Sequence, residues 1–348
     1  MTEHYEEPVP LRAIAEKCGV SRTTVSRALR GDERVAKSTR EKVNKAAKEL
    51  GYHPDPKLEM LMTEIKRAQS RRYVGNLCVL WNNHKIGSSS KDNEFVTSLL
   101  RGALERAEDL GYALDVVNID EPGMNAARLD KVLYNRGMLG VLIPPLLNEQ
   151  QTIPELNWSK ISVVSMTRLE QTKRFSSVQA YTSSDVIRMF EHIRKLGYRR
   201  PGLVIHRSLE ARRNNQTIAR YFHFCHEVLG IAPLPILEPH DDSEIEEWLA
   251  KHNPDLVIGP ADWCYRALKE NLKIKIPEDL GYIGFVDEPD CGASGIHQRP
   301  KEIGAAGIDL LTAHIIRGER GIPPFTKNVH IDSLLIEGDS LRQQDKAN

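Results

Sequence analysis

Apolar positions recur with a helical period in three short stretches near the start of the chain, then alternate between strand-like and helix-like runs after residue 73. In "LRAIAEKC", Leu11, Ile14, Ala15 and Cys18 stand at i, i+3, i+4 and i+7, the spacing of one helix face. Gly19 supplies a turn, Val20 fills the angle between helices, and Ser21 is placed to cap a second helix. At 100° per residue, Val25, Ala28 and Leu29 gather on one side of that helix, with Thr24 beside them. Arg22, Thr23, Ser26, Arg27 and Arg30 gather on the other side, which carries guanidinium and hydroxyl groups and no carboxylate. A third helix opens with Ser38 and Glu41 in capping-box spacing, buries Val43, Ala46, Ala47 and Leu50, and ends at Gly51 before Pro54. Two helices across a tight glycine turn, braced by a third, make a helix-turn-helix unit. An ordinary helical hairpin with solvated arginines fits this pattern alone equally well.

Beyond Pro54, Leu58, Leu61, Met62 and Ile65 form a helical stripe, and basic residues lead into the strand-like "YVGNLCVLW". Helices are predicted across Phe95–Leu110 and Ala126–Tyr134, with strands at "ALDVVNI", "GVLIPPL" and "KISVVSM". A second series opens with the helix "SSDVIRMFEHIRKLGY" and runs through "PGLVIH", a helix to Leu229, "LPILEP", the helix "EIEEWLAKH", "DLVIGP", the helix "WCYRALKENL" and "LGYIGFVD". Another helix follows "IHQRP", and "DSLLIEGDSL" supplies a last strand. Two successive runs of βα units predict two parallel-sheet lobes with a cleft at the carboxyl ends of their strands. Asn82, Asn83, Phe95, Arg168, Asp262, Trp263 and Asp287 fall on strand-end loops or helix starts, where a small polar ligand would be held.

The chain's 348 residues exceed one ordinary core, so two or three domains are expected. Lys+Arg and Asp+Glu balance at 48 each, but the balance is uneven along the chain. Residues 8–57 hold twelve basic against six acidic side chains, a local net of +6 that leaves −6 for the rest. A basic end on an acidic body points to nucleic acid bound by that end. The five cysteines are scattered and never spaced CxxC, which argues against a disulfide framework or structural zinc and for a reducing compartment. No apolar run approaches the roughly 20 residues of a membrane span, and the acidic start "MTEHYEEPVP" does not read as a signal peptide. A cytoplasmic protein is expected.

"LRAIAEKCGVSRTTVSRALRG" and "STREKVNKAAKELGYHP", followed by an amphipathic segment, resemble the DNA-binding domain of the lactose/galactose-repressor (LacI/GalR) family, without gaps from Leu11 to Pro54. "HIRKLGYRRPGLV", "IPEDLGYIGFVD", "IHQRPKEIGAAGIDLL" and "LLIEGDSL" more loosely resemble the family's effector domain. The resemblance implies an all-α helix-turn-helix domain at 8–54, a hinge helix and linker at 55–72, and a two-lobed, periplasmic-binding-protein-like α/β domain at 73–343 that binds effector and dimerises. Arg22, Thr23 and Arg27 then read base edges, a role suited to bidentate arginine–guanine contacts and to a hydroxyl-bearing threonine. Arg12, Ser21, Thr24, Ser26, Arg30 and Arg34 are placed for phosphates, Thr24 equally for a local cap. Leu61, counted from Pro54, matches the leucine that the hinge helix pushes into the minor groove.

The sequence departs from the family at several points. Asp55 stands for the usual Asn, Leu58-Glu59 for the usual "AR", and Pro56 adds a rigid point to a longer joint. The arginine that grips the ligand aligns with Ile218, leaving Arg213, Asn214 or Asn215 to substitute. Asp262 and Asp287 match family effector positions. "HFCHE" has no second His at i+4, "PHDD" reads as a solvated loop, and "GASG" lacks a dinucleotide-site context, so no catalytic, metal or cofactor site is expected. The expected protein is a homodimeric repressor that binds an inverted-repeat operator and is switched by a small polar effector such as a sugar. The alternatives are an architectural DNA-binding protein that senses no ligand, or a cytoplasmic sugar-binding module or enzyme.

Overall fold

The computed structural model describes residues 11–29, 35–50, 73–81, 94–145, 153–168, 172–207, 210 and 213–344, and only the backbone of Leu11, Arg22, Thr23 and Ser26. Helices α1 (Leu11–Cys18), α2 (Arg22–Leu29) and α3 (Lys37–Glu49) form a small core in which Ile14, Val25 and Val43 are fully buried. Gly19, at φ +64°, makes the turn between α1 and α2, and Val20 packs onto the core beside it. Ser21 caps α2, its Oγ accepting from the Thr24 N–H at 3.0 Å. The expected Ser38–Glu41 capping box does not form. Helix α3 begins one residue before Ser38, and its first N–H groups turn back to the Ala36 carbonyl, with no side chain capping the end.

The first sheet is wholly parallel, in the order β10-β5-β4-β3-β1-β2. It comprises β1 (Gly75–Trp81), β2 (Tyr112–Asn118), β3 (Met138–Ile143), β4 (Ser162–Ser165), β5 (Ser176–Ala180) and β10 (Asn328–Ile331). Both faces are covered, so β1 reads as a continuous apolar run. Leu77 and Val79 join the core under helix α4 (Glu94–Asp109), while Cys78 and Leu80 join the one under α5 (Ala126–Asn135).

The second sheet runs β11-β9-β8-β7-β6, from β6 (Pro201–Leu203), β7 (Leu256–Pro260), β8 (Gly281–Phe285), β9 (Ser294–His297) and β11 (Leu334–Ile336). Only β11 is antiparallel to its neighbour. Helices α6 (Thr182–Lys195), α7 (Gln216–His223) and α8 (Asp242–His252) accompany it. Wider helical turns, bonded i to i+5, extend α7 through Phe224–Leu229 and follow β7 at Ala261–Tyr265 and Ala267–Asn271.

The two lobes are not the two successive runs that the sequence pattern suggested. The chain passes between them three times: from β5 to α6, from β9 to α9 (Pro300–Arg317), and from β10 to β11. Helix α9 therefore returns to the first lobe and packs closely on α4, where a Cβ on Gly102 would overlap the Lys301 carbonyl and one on Gly304 the Leu99 carbonyl. "LPILEP" forms no full strand and makes a single bridge from Leu237 to Val204.

Candidate functional site

Two regions carry the residues singled out in the sequence. At the helix-turn-helix end, Arg27 is exposed on α2 opposite the buried Val25 and Ala28. The side chains of Arg22, Thr23 and Ser26, and the whole of Arg30, Arg34 and Leu61, lie outside the described residues. The hydroxyls of Ser21 and Thr24 are 2.8 Å apart, so Thr24 reinforces the cap at the start of α2. Arg12 pairs through Nε with Glu16 Oε1 at 2.8 Å, both side chains mostly exposed. Such an exposed pair is worth less than about 1 kcal/mol.

At the other end of the chain, the strand ends of the second sheet bring Asp262 and Asp287 together. Asp262 lies in the turn after β7, Asp287 two residues past β8, and both line a cavity of about 270 Å³ with Glu94 from the first lobe. Burial first, and then repulsion from Asp262, pushes the Asp287 carboxyl up to about 7; Glu94 and Glu288 add to this, while Arg213 opposes it. Tyr265, Arg266 and Lys269 complete one wall. Sequence reasoning missed these three, yet Asp262, Arg266 and Lys269 fall at i, i+4 and i+7, a helical stripe that would have found two of them.

Arg213 occupies a second hollow, at the ends of β6, β7 and β8. Its guanidinium carbon lies 3.7 Å from the centre of the Phe285 ring, and Nη1 reaches Glu210 Oε1 at 3.4 Å. Only about 10 Å³ of this hollow stays open. Asn215 is exposed just before α7, at φ +54°, and lines neither cavity. Phe95 and Trp263 pack against the cores of their lobes, and Arg168 is half-buried after β4. None of these three lines either cavity. Asn82 and Asn83 lie outside the described residues.

Among the described residues, no group of His, Cys, Asp and Glu could hold a metal ion, and no helix is long and apolar enough to cross a membrane. All five cysteines are free.

Residues 10–55 match the family model for bacterial regulatory proteins of the lacI family. The HTH-type transcriptional regulator GntR of Escherichia coli (strain K12) is 25% identical over 346 residues, spanning 90% of this chain and 93% of that protein. Among solved structures, the complex of the transcriptional regulator CelR with cellobiose aligns over 95% of this chain and 99% of its own, at 19% identity and a TM-score of 0.59. The lac repressor dimer bound to operator and the anti-inducer ONPF aligns over 96% and 99%, at 19% identity and a TM-score of 0.55. The lacI family match is thus carried by the helix-turn-helix end, at residues 10–55, and the chain as a whole is similar in sequence to a transcriptional regulator and in fold to solved regulators of two α/β lobes.

Proposed function

We propose that this chain is a cytoplasmic transcription repressor, without catalytic activity, whose homodimer grips an inverted-repeat operator and responds to a small polar effector of the sugar class. The observation that carries this is the fusion of a lacI-type helix-turn-helix unit at 10–55 to two α/β lobes that meet at a cavity. In this reading Arg22, Thr23 and Arg27 read bases, while Arg12, Ser21, Ser26, Arg30 and Arg34 hold phosphates and Leu61 enters the minor groove. The domains run 8–54, 55–72 and 73–343. The cellobiose held by CelR and the operator and ONPF held by the lac repressor support the two binding roles. An effector releases or secures DNA only by as much as it prefers one lobe arrangement to the other.

Selection of duplexes by the full chain tests the reading, and an inverted repeat is expected. Arg22→Ala or Thr23→Ala changes the consensus, at about 1–3 kcal/mol per base pair, whereas Arg30→Ala weakens all sequences alike. Recovery of no sequence preference would sink it. A second reading, an architectural DNA-binding protein that senses no ligand, draws on the Arg213–Phe285 stack that fills the strand-end hollow. Operator affinity that no bound effector changes would favour it.

A further inference from the structure

We infer that the effector is a small, donor-rich molecule carrying a protonated amine, held between Asp262 and Asp287 of the second lobe and Glu94 of the first. This rests on the ligand-switched reading above and narrows its ligand class. Five carboxyl groups line the cavity, from Glu94, Asp262, Glu270, Asp287 and Glu288, against two cations in the lining, Arg266 and Lys269. Outside it, Arg101 Nη2 lies 3.9 Å from Glu94 Oε1 and Arg213 draws on Asp287, so the carboxyls still outnumber the cations. One of those cations is already engaged, since the Lys269 ammonium donates to the Tyr265 hydroxyl at 3.3 Å and lies 5.3 Å from the centre of its ring. An acid sugar or a sugar phosphate would place a second anion among carboxylates, and a cation is the species that relieves them.

The neighbouring hollow asks for the same chemistry. It is reached one residue back along the chain from Ala261 and two back from Asp287, at Pro260 and Phe285. The Glu210 side chain there is 3% exposed, and its Oε2 has no hydrogen-bond partner among the described residues. Thr217 Oγ1, buried in the same wall, is likewise unpartnered. Oxygens left in this state call for a donor, and an ammonium group brings three donors and no acceptor. The Phe285 ring already holds a cation on its face, supplied by Arg213. Because Glu94 comes from the other lobe, an amine bridging it to Asp262 and Asp287 favours one lobe arrangement over the other, as a switch requires.

The test is calorimetry on the full-length chain at pH 7.5 with matched trios on glucose, galactose and ribose skeletons, each as the neutral sugar, the amino sugar and the aldonate. One amino sugar is expected to bind at least tenfold more tightly than its neutral partner, with no aldonate binding. In the Asp262→Asn/Asp287→Asn chain, shown folded by near-ultraviolet circular dichroism, that preference should fall below twofold. A neutral sugar or an aldonate binding as tightly as its amine overturns the amine assignment and leaves the ligand-switched reading standing. Failure of every member to bind removes both.

Discussion

The Asp185 carboxylate accepts a hydrogen bond from the Ser333 hydroxyl at 2.8 Å, which ties the first turn of α6 to the last of the three crossings between the lobes. The Gln298 side chain, on the β9-to-α9 crossing, bonds to the same carboxyl, and Arg188 Nη1 donates to the Ser333 carbonyl at 2.8 Å. One buried side chain thus joins all three connections. Burial lifts its pKa above the usual aspartate value, and the hydrogen bonds from Ser333 and Gln298 pull it back.

Asp185→Ala removes the shared acceptor and leaves buried donors unpaired, at a cost of about 2–3 kcal/mol, while Asp185→Asn keeps the shape and costs about 1 kcal/mol. Denaturant unfolding of both variants checks the order. An alanine variant as stable as wild type would dismiss Asp185 as a fastening point.

Asp287 gives stability a pH signature. The folded chain keeps this proton up to about pH 7, whereas the unfolded chain releases it near 3.8, so wild type loses stability as pH rises through that window. Asp287→Asn mimics the protonated form and should gain relative to wild type from pH 4 to 7, then level off. At pH 8 the advantage should be about 1–2 kcal/mol, since water in the open cleft screens part of the repulsion. Melting curves of the two proteins across pH 4–8 measure it, and a difference independent of pH would contradict the assignment.

Gly304→Ala should be among the most damaging single-methyl additions in the first lobe. The new Cβ would meet the Leu99 backbone carbonyl rather than a side chain that can turn aside, so α9 must move off α4. About 3 kcal/mol is expected. Gly230, whose Cβ would meet open space, provides the control: its positive φ makes Gly230→Ala cost only about 1 kcal/mol.

Cys291 should be alkylated alone in the native protein. It is exposed and lines the Asp262–Asp287 cavity, while Cys18, Cys78, Cys225 and Cys264 are buried. Burial also pushes the thiol of Cys78 up to about 12 and that of Cys225 up to about 11, which withholds their nucleophilic form. Mass spectrometry after brief maleimide treatment reads the site, and a ligand in the cavity should slow the reaction. Modification of Cys225 or Cys264 at a similar rate would mean that the second lobe opens readily.

The sequence by itself determined the helix-turn-helix unit, because everything that builds it is local. The i, i+3, i+4 apolar spacing, the turn at Gly19 and the cap at Ser21 act within a few residues of one another and need no distant partner. It also marked Asp262 and Asp287, since strand ends in βα units are where side chains converge. Tertiary structure alone decided how the lobes share the chain. The Ser-rich β5 carries no alternation that marks a strand, and the alternation of β10 spans only four residues; they become strands because neighbouring backbones offer them hydrogen bonds. The same holds for Arg213. Glu210 is a local partner, three residues back in the chain, but the Phe285 ring comes from the end of β8, and only the fold brings it within reach of the guanidinium.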